Sequence, residues 1–568
     1  MAFLEISIYD WLTLGCYLVG ITVLGLWTRK KVKDTTDFFI GGRRFGKAMM
    51  VFFSFGAGTN GNQAVGVAAK TYSNGLSGIW YQWLWLFATP FYWVIAPAFR
   101  RMRATTTGDF FEYRYSARTA ALYSFVGILI HISNIGLMLL ATGAVVEAIS
   151  GGAIPSIVAI SVTTVLFVTY GMAGGLAAAI ITDFVQGILT VLLSFMLLPY
   201  AFRLVGGMAG LHEKIADPHM FSLVAPGEIN GFHIVIFALN ALIGIVTMPH
   251  VMGVCAAGRT EMDGRVGFAA GNLLKRICTV AWMLTGLCAV VLCKNLEKGQ
   301  ADQVYGMMAR DLLPEIMPGL VGLFLAALLA SVMSSCDAFM VSSSGLLTQN
   351  VYRQYWVKNR DEAHYVFVGR IASLFIVVGG LVFAFVVEDV PSGLEIFWKF
   401  AAMMAAAFWL GLFWRRATEA GAWAGTLVAF GVLIVTNQGW FDKWAVENLP
   451  QFMVWDGQFR VSWQMFSYLI AGFGTCIAVS LCTPRLPEEK LNRFYACIHT
   501  PVSTDEPHTT KPFTLPEGVE PATPKKLVNL SDIEIPKPSR IGLVGFAFFW
   551  LMVVLMIAFV HWLAGLGA

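Results

Sequence analysis

Apolar runs long enough to cross a hydrocarbon core of about 30 Å recur along the whole chain. They lie at 9–28, 45–70, 76–98, 119–149, 154–171, 178–202, 231–257, 268–293, 316–346, 364–387, 393–413, 420–437, 463–482 and 541–564. The expected fold is an all-α integral membrane protein with about fourteen transmembrane helices. Its 568 residues are 57% hydrophobic and only 13% charged, against roughly a quarter charged in a soluble protein. Such a chain cannot cover itself with polar surface, so its partner is a lipid bilayer. A cytosolic multidomain enzyme, a disordered chain and a secreted disulfide-rich protein are excluded.

The net charge of +4 forms no basic stripe, so no nucleic-acid partner is expected. The nine cysteines fall mostly inside apolar runs, with no CxxC and no His cluster at ligand spacing. They read as small buried thiols rather than a metal site or a disulfide framework.

No basic region precedes the first run, Glu5 and Asp10 lie near its start, and Arg29, Lys30, Lys31 and Lys33 follow it. It is therefore a retained span with the N-terminus outside, not a cleavable signal. On that choice the cytoplasmic segments are 29–47, 99–118, 259–276, 353–370, 414–419 and 483–540. They hold about 30 of the 39 Lys and Arg residues, as the positive-inside rule requires. An even number of spans puts both termini outside, in a cell membrane (plasma or inner). Residues 483–540, with prolines from Pro484 and Pro487 through Pro507 to Pro538, then form a cytoplasmic loop. That loop is either a regulatory tether or a spacer.

Non-helical backbone is tolerated in a membrane only where protein or water surrounds it. The second span carries Gly56, Ala57, Gly58, Thr59, Asn60, Gly61, Asn62 and Gln63 at mid-depth. A close helix crossing needs the glycines but not two asparagines and a glutamine. The seventh span has a comparable break, Thr247, Met248, Pro249 and His250. Interruptions at corresponding positions of two five-helix halves point to an inverted-repeat secondary transporter.

The ninth span ends in Ser331, Ser334, Ser335, Ser342, Ser343 and Ser344, with Asp337 among them. The first three are spaced to converge on one helical face, and hard oxygen ligands suit an alkali cation. The alternative is that each hydroxyl bonds back to its own helix. Asp183, followed by Gln186, lies just inside the sixth span. Ionisable groups at such depth face protein or water. Asp183 and Asp337 can hold a cation with the serines, or one of them can carry a proton.

These residues resemble the sodium:solute symporter family, from the second span to Val502. Tyr170, Gly174, Gly175, Leu176, Thr182, Asp183 and Gln186 are similar to its signature before the fifth core helix. Ala326 through Ser331, Ser334, Ser335 and Ser343 to Tyr352 resemble its eighth. Leu410 to Arg416 with Gly421 and Ala422 match the end of the tenth, and Leu491, Arg493, Phe494, Tyr495, Thr500, Pro501 and Val502 a segment after the twelfth.

The resemblance implies a LeuT-type 5+5 inverted repeat. Residues 1–44 are then an extra N-terminal helix and loop, and 45–413 the core transport unit. Residues 414–482 are two additional helices, 483–540 the Pro-rich loop and 541–568 the final helix. It implies a Na⁺ site from backbone oxygens of Gly56 and Thr59 with carbonyl and hydroxyl oxygens of Ser331, Ser334 and Ser335. Some members hold a second sodium beside the aspartate matched by Asp183 and the serine matched by Ser334. Asp337 and Ala338 stand where those members place hydroxyls, which leaves open a second cation or a proton. The sugar branch is the nearest in features, through Gln63, Tyr81, Gln82, Trp83 and Lys275, with Asn60 a further solute candidate. The Pro249–His250 pair instead resembles the proline branch, although Val254 stands where that branch has an arginine.

His131 and His250 read as core histidines or proton relays. Glu395 and Lys399 read as a local i,i+4 ion pair or an outer gate. Trp80, Trp83, Trp85 and Trp93 read partly as an interfacial belt, with one of them lining a cavity.

The expected function is Na⁺-coupled import of a small polar solute, a sugar or polyol, by alternating access. An amino acid such as proline, a carboxylate, or a solute sensor without transport is the alternative. Na⁺ is the coupling ion and no organic cofactor is called for. No nucleophile–base pair suggests an enzyme.

Overall fold

Backbone groups hidden from water must be paired within the chain, and a helix pairs them locally. Helices make up almost every element of the computed structural model, which describes residues 7–28, 35–225, 228–293, 296, 300–503, 506 and 511–567. Glu5, Arg29, Lys30, Lys31, Lys33 and Pro507 lie outside these, as does the side chain of Tyr170. Among the described residues one hairpin, β1 (Val454–Trp455) and β2 (Gln458–Phe459), is the only sheet.

The order begins α1 (Ile8–Thr28), α2 (Lys47–Gly58), α3 (Gly61–Asn74), α4 (Trp80–Trp83), α5 (Thr89–Arg101), α6 (Thr107–Arg114), α7 (Ala117–Ile149) and α8 (Ser156–Met196). It continues α9 (Gly231–Gly244), α10 (His250–Ala256), α11 (Glu261–Leu292), α12 (Val304–Ile316), α13 (Leu320–Gly345), α14 (Glu362–Val386), α15 (Val390–Ala402) and α16 (Ala405–Phe413). The last are α17 (Glu419–Thr436), α18 (Val461–Cys482), α19 (Glu488–His499) and α20 (Arg540–Ala564).

Among the described residues ten helical stretches are long and apolar enough to span a membrane, and an eleventh forms if α9 and α10, bent by 73°, count as one. The other three expected spans, at 45–70, 76–98 and 154–171, are divided into shorter helices, so length and composition alone do not pass them. Their interruptions have local causes. Gly175 turns α8 through a left-handed φ of 59°, a conformation that L side chains resist. Pro249 removes an N–H and pushes Met248 into extended backbone (ψ 121°).

The broken helices α2/α3 and α9/α10 each begin a unit of five, and α13, almost wholly buried, runs between them. At one end of the bundle the basic segments meet. Arg43 donates to Ala104 O at 2.8 Å, Arg101 pairs with Glu261 at 2.8 Å, and Arg103 pairs with Glu506. The 483–540 segment folds across this end, with Arg415, Lys526 and Glu534 clustered and Trp414 bridged to Ile533. These described residues of the segment pack against the bundle. Lys70, Glu228, Asp302 and Val390 meet at the opposite end. The aliphatic side chains exposed on α1, α14 and α20 form the outer face.

Candidate functional site

The first break is built by glycine and held by its neighbours. After Gly58 the backbone becomes extended at Thr59 (φ −128°, ψ 114°) and Asn60 (φ −143°, ψ 167°) before α3 resumes. The carbonyl freed at Gly58 accepts from Gln63 Nε2 at 3.1 Å and from Lys275 Nζ. Two residues earlier, Gly56 O accepts from Ser335 Oγ at 2.8 Å. Ser334 Oγ donates to Asp183 Oδ1 at 2.6 Å, leaving Oδ2 of that carboxylate without a hydrogen bond. Gly56 is needed here, because a Cβ on it would lie 2.7 Å from Ser334 Oγ and 3.4 Å from Asp183. Oxygens from α2, α8 and α13 thus converge on one buried point.

The six serines of α13 divide sharply. Ser331, Ser342 and Ser344 bond back to carbonyls of their own helix at 2.7–2.8 Å. Ser334, Ser335 and Ser343 reach other helices. Ser331 therefore does not bring its hydroxyl to the cluster, although it lies on the facing turn. Asp337, 2% exposed, is one turn along α13 from Ser334. Thr59 and Asn60 are buried, with Thr59 Oγ1 and both Asn60 side-chain atoms unpaired.

The second break carries different chemistry. Thr247 O accepts from Tyr123 OH at 2.7 Å, and Thr247 Oγ1 donates to Gly244 O and Ala401 O. His250, the residue after the proline, has Nδ1 3.2 Å from His131 Nε2. His131 Nδ1 in turn lies 2.8 Å from Ser343 Oγ and 3.1 Å from Phe339 O.

A cavity opens between the breaks, lined by Gln63, Trp85, Asn134, His250, Lys275 and Phe397 among others. Of the solute candidates, Gln63 and Lys275 line it. Asn60, Tyr81 and Gln82 are not in its lining. Tyr81 OH instead donates to Glu395 Oε1 at 2.8 Å, and the Gln82 carbonyl accepts from Arg276. Glu395 thus reaches across helices, and no Glu395–Lys399 ion pair within 4 Å forms among the described residues. Nearby, Lys70 pairs with Glu228 at 2.9 Å and covers the Tyr81 ring. Burial pushes the Glu228 carboxyl up, but Lys70 and Asn74 outweigh it and hold the group below its usual range. These contacts roof the cavity at the end opposite the basic segments.

Of the tryptophans, Trp85 lines the cavity, Trp80 and Trp83 are buried, and Trp93 Nε1 donates to Ile541 O. Sequence reasoning missed Asn134 and Asn272 in the lining. The signal for Asn134 was present, since it sits one turn from His131 on α7 and faces Asn62 across the first break at 3.4 Å.

Residues 38–429 match the sodium:solute symporter family. The chain is 25% identical over 449 residues to the high-affinity proline transporter PutP of Bacillus subtilis (strain 168), covering 76% of this chain and 92% of that one. It is 23% identical over 466 residues to a sodium/glucose cotransporter of Vibrio parahaemolyticus, covering 75% and 84%. Among solved structures it resembles a Na⁺-coupled sialic acid symporter in a substrate-bound outward-open state, with a TM-score of 0.68, 18% identity, and 84% and 99% of the two chains covered. The fold is the LeuT-type inverted repeat of five plus five helices.

Proposed function

The chain belongs to the sodium:solute symporter family, and from that premise we propose that sodium binds at the first break and drives import of a small polar solute held between the two breaks. It is a sodium-coupled solute symporter of an integral, multi-pass kind, and not an enzyme. The proposed sodium ligands are backbone oxygens of Gly56, Thr59 and Ser331 with the hydroxyls of Ser334 and Ser335. The observation that carries the assignment is the convergence of Gly56 O, Ser335 Oγ, Ser334 Oγ and Asp183 on one buried point.

Ser334 donates to Asp183 and Ser335 to Gly56 O, so each hydroxyl oxygen keeps lone pairs for a cation. A hard cation there meets oxygen lone pairs and a nearby negative charge, which suits an alkali ion. Asp183, with Asp337 one turn from Ser334, is the proposed second cation or proton position. Sodium and solute then favour each other's binding, because coupling between two sites is reciprocal. The basic end of the bundle is proposed to be cytoplasmic, with both chain ends outside.

Sugar recognition now rests on Gln63 and Lys275 alone, since Tyr81 and Gln82 lie off the cavity. The relatives include transporters of proline and of glucose at similar identity. The test is uptake of a radiolabelled solute panel into proteoliposomes with and without an inward Na⁺ gradient. Accumulation above equilibrium only with the gradient supports the reading. Solute binding without gradient-driven accumulation would indicate a sensor instead.

A further inference from the structure

The cavity between the breaks holds an unbalanced set of charges. Of its sixteen lining residues none is Asp or Glu, while Lys275 and Arg276 are both present. Lys275 is 5% exposed; its ammonium meets the Gly58 carbonyl and the Trp85 ring, 5.5 Å to the centroid. Arg276 is 1% exposed and donates to Gln82 O at 2.6 Å and Asn272 Oδ1 at 3.5 Å. Neither has a carboxylate in ion-pair range among the described residues. A buried cation matched only by neutral dipoles is expensive, and a bound anion offsets that cost.

The histidine pair adds a second, directional constraint. Phe339 O, 3.1 Å from His131 Nδ1, can only accept, and Ser343 Oγ, 2.8 Å away, can accept as well, so the assignment that satisfies both contacts puts the hydrogen on Nδ1. In the uncharged pair His131 Nε2 is then an acceptor, and His250 Nδ1, 3.2 Å from it, must donate. That leaves His250 Nε2 as a bare acceptor. His250 lines the cavity and its other nitrogen is engaged. An acceptor in a largely buried site calls for a donor on whatever binds.

We propose that this cavity takes a small solute bearing both a carboxylate and a hydrogen-bond donor, the carboxylate meeting Lys275 and the ammonium, imino or hydroxyl donor meeting Nε2 of His250. The assignment rests on the transport reading for the role of the cavity, but not on sodium. His131 is a positioning residue, since it sets the tautomer of His250 without lining the cavity itself.

The test is thermal stabilisation of the purified full chain, in Na⁺ and in K⁺, by L-proline, L-lactate, pantothenate, prolinamide, lactamide, glycine betaine, D-glucose and myo-inositol. The expected strongest stabiliser is an acid carrying an N–H or O–H donor. Its amide, and betaine with no donor, should bind about tenfold more weakly or worse, as the loss of one charged hydrogen bond predicts. Lys275→Met should remove the preference for acid over amide while stabilisation by Na⁺ persists, which a misfolded variant could not show. His250→Leu should cost about tenfold in affinity, and His250→Gln, which keeps an acceptor, should recover part of it. Glucose or inositol leading the panel, an amide matching its acid, or no acid stabilising the protein would overturn the proposal. Acid binding that is equal in Na⁺ and K⁺ would count against sodium coupling and leave this assignment standing. A sodium-dependent sugar would do the reverse.

Discussion

The two broken helices occupy equivalent places in the two halves of the repeat, yet they present different atoms. At the first break glycines let the chain pass close to α8 and α13, and the space is lined by carbonyl, hydroxyl and carboxylate oxygens. At the second a proline forces the bend, the freed carbonyl is closed off by Tyr123, and the next side chain is an imidazole tied to a second imidazole. One fold operation, interrupting a helix in the membrane, thus yields a hard-oxygen pocket in one half and a nitrogen-lined wall in the other. That difference is the ground on which the cation is proposed at the first break and the solute in the space between the two.

Asp183→Asn is the strongest way to break that assignment. It removes the carboxylate that accepts from Ser334, and Na⁺-driven accumulation in proteoliposomes should fall by about a hundredfold, in the range of a lost buried charge pair. Solute binding should persist at high Na⁺. Normal accumulation in this variant would sink the division between the breaks.

The serines sharpen the same point at smaller scale. Ser334→Ala or Ser335→Ala should raise the Na⁺ concentration for half-maximal uptake about tenfold, the worth of one hydrogen-bonding group to an ion. Ser331→Ala should change it little, because that hydroxyl is spent on Leu328 O at 2.7 Å. Equal effects at all three would mean that the back-bonded geometry of Ser331 does not persist when sodium binds.

Much of this contrast was legible in the sequence. Glycines among asparagines and a Pro249–His250 pair cannot sit quietly in lipid, so both breaks and the five-plus-five division followed from backbone chemistry. Asp183 with Ser334 and Ser335 followed from depth and helical spacing. The serine run could not be partitioned in advance, because whether a hydroxyl bonds back or reaches across depends on which helix lies opposite. The bond between Tyr81 and Glu395 was hidden for the same reason: a pair 314 positions apart leaves no trace in local spacing. The asymmetric lining of the cavity was invisible because Lys275, Arg276 and His250 come from two helices whose facing sides only packing determines.

The second break has its own structural test. Tyr123→Phe leaves Thr247 O buried without a donor, at a cost of about 1–3 kcal/mol. Thermal unfolding should shift down by a few degrees while the Na⁺ dependence of uptake stays as it was. A changed Na⁺ dependence would show that the two breaks are not energetically separable.

The smallest effect lies at the roof above the first break and depends on pH. Asp302 accepts from Val390 N at 2.8 Å, anchoring the start of α15. Burial pushes its carboxyl up to about 6 from 3.8, with the Val390 N–H pulling the other way and Asp389 adding to the rise. Because the folded value lies above the unfolded one, this group's contribution to stability is fully present below about pH 3.8. It is lost as pH rises through about 6. Asp302→Asn keeps an acceptor for Val390 and removes the charge. It should therefore raise the unfolding temperature by roughly 1–3 °C at pH 8, about the shift expected of a small stability gain in a large chain, and by nothing at pH 4. Uptake at fixed pH should keep its Na⁺ dependence and its solute preference, since neither break touches this carboxylate. A shift in either would place the roof in the coupling pathway and blur the line between an oxygen-lined cation half and an imidazole-lined solute half.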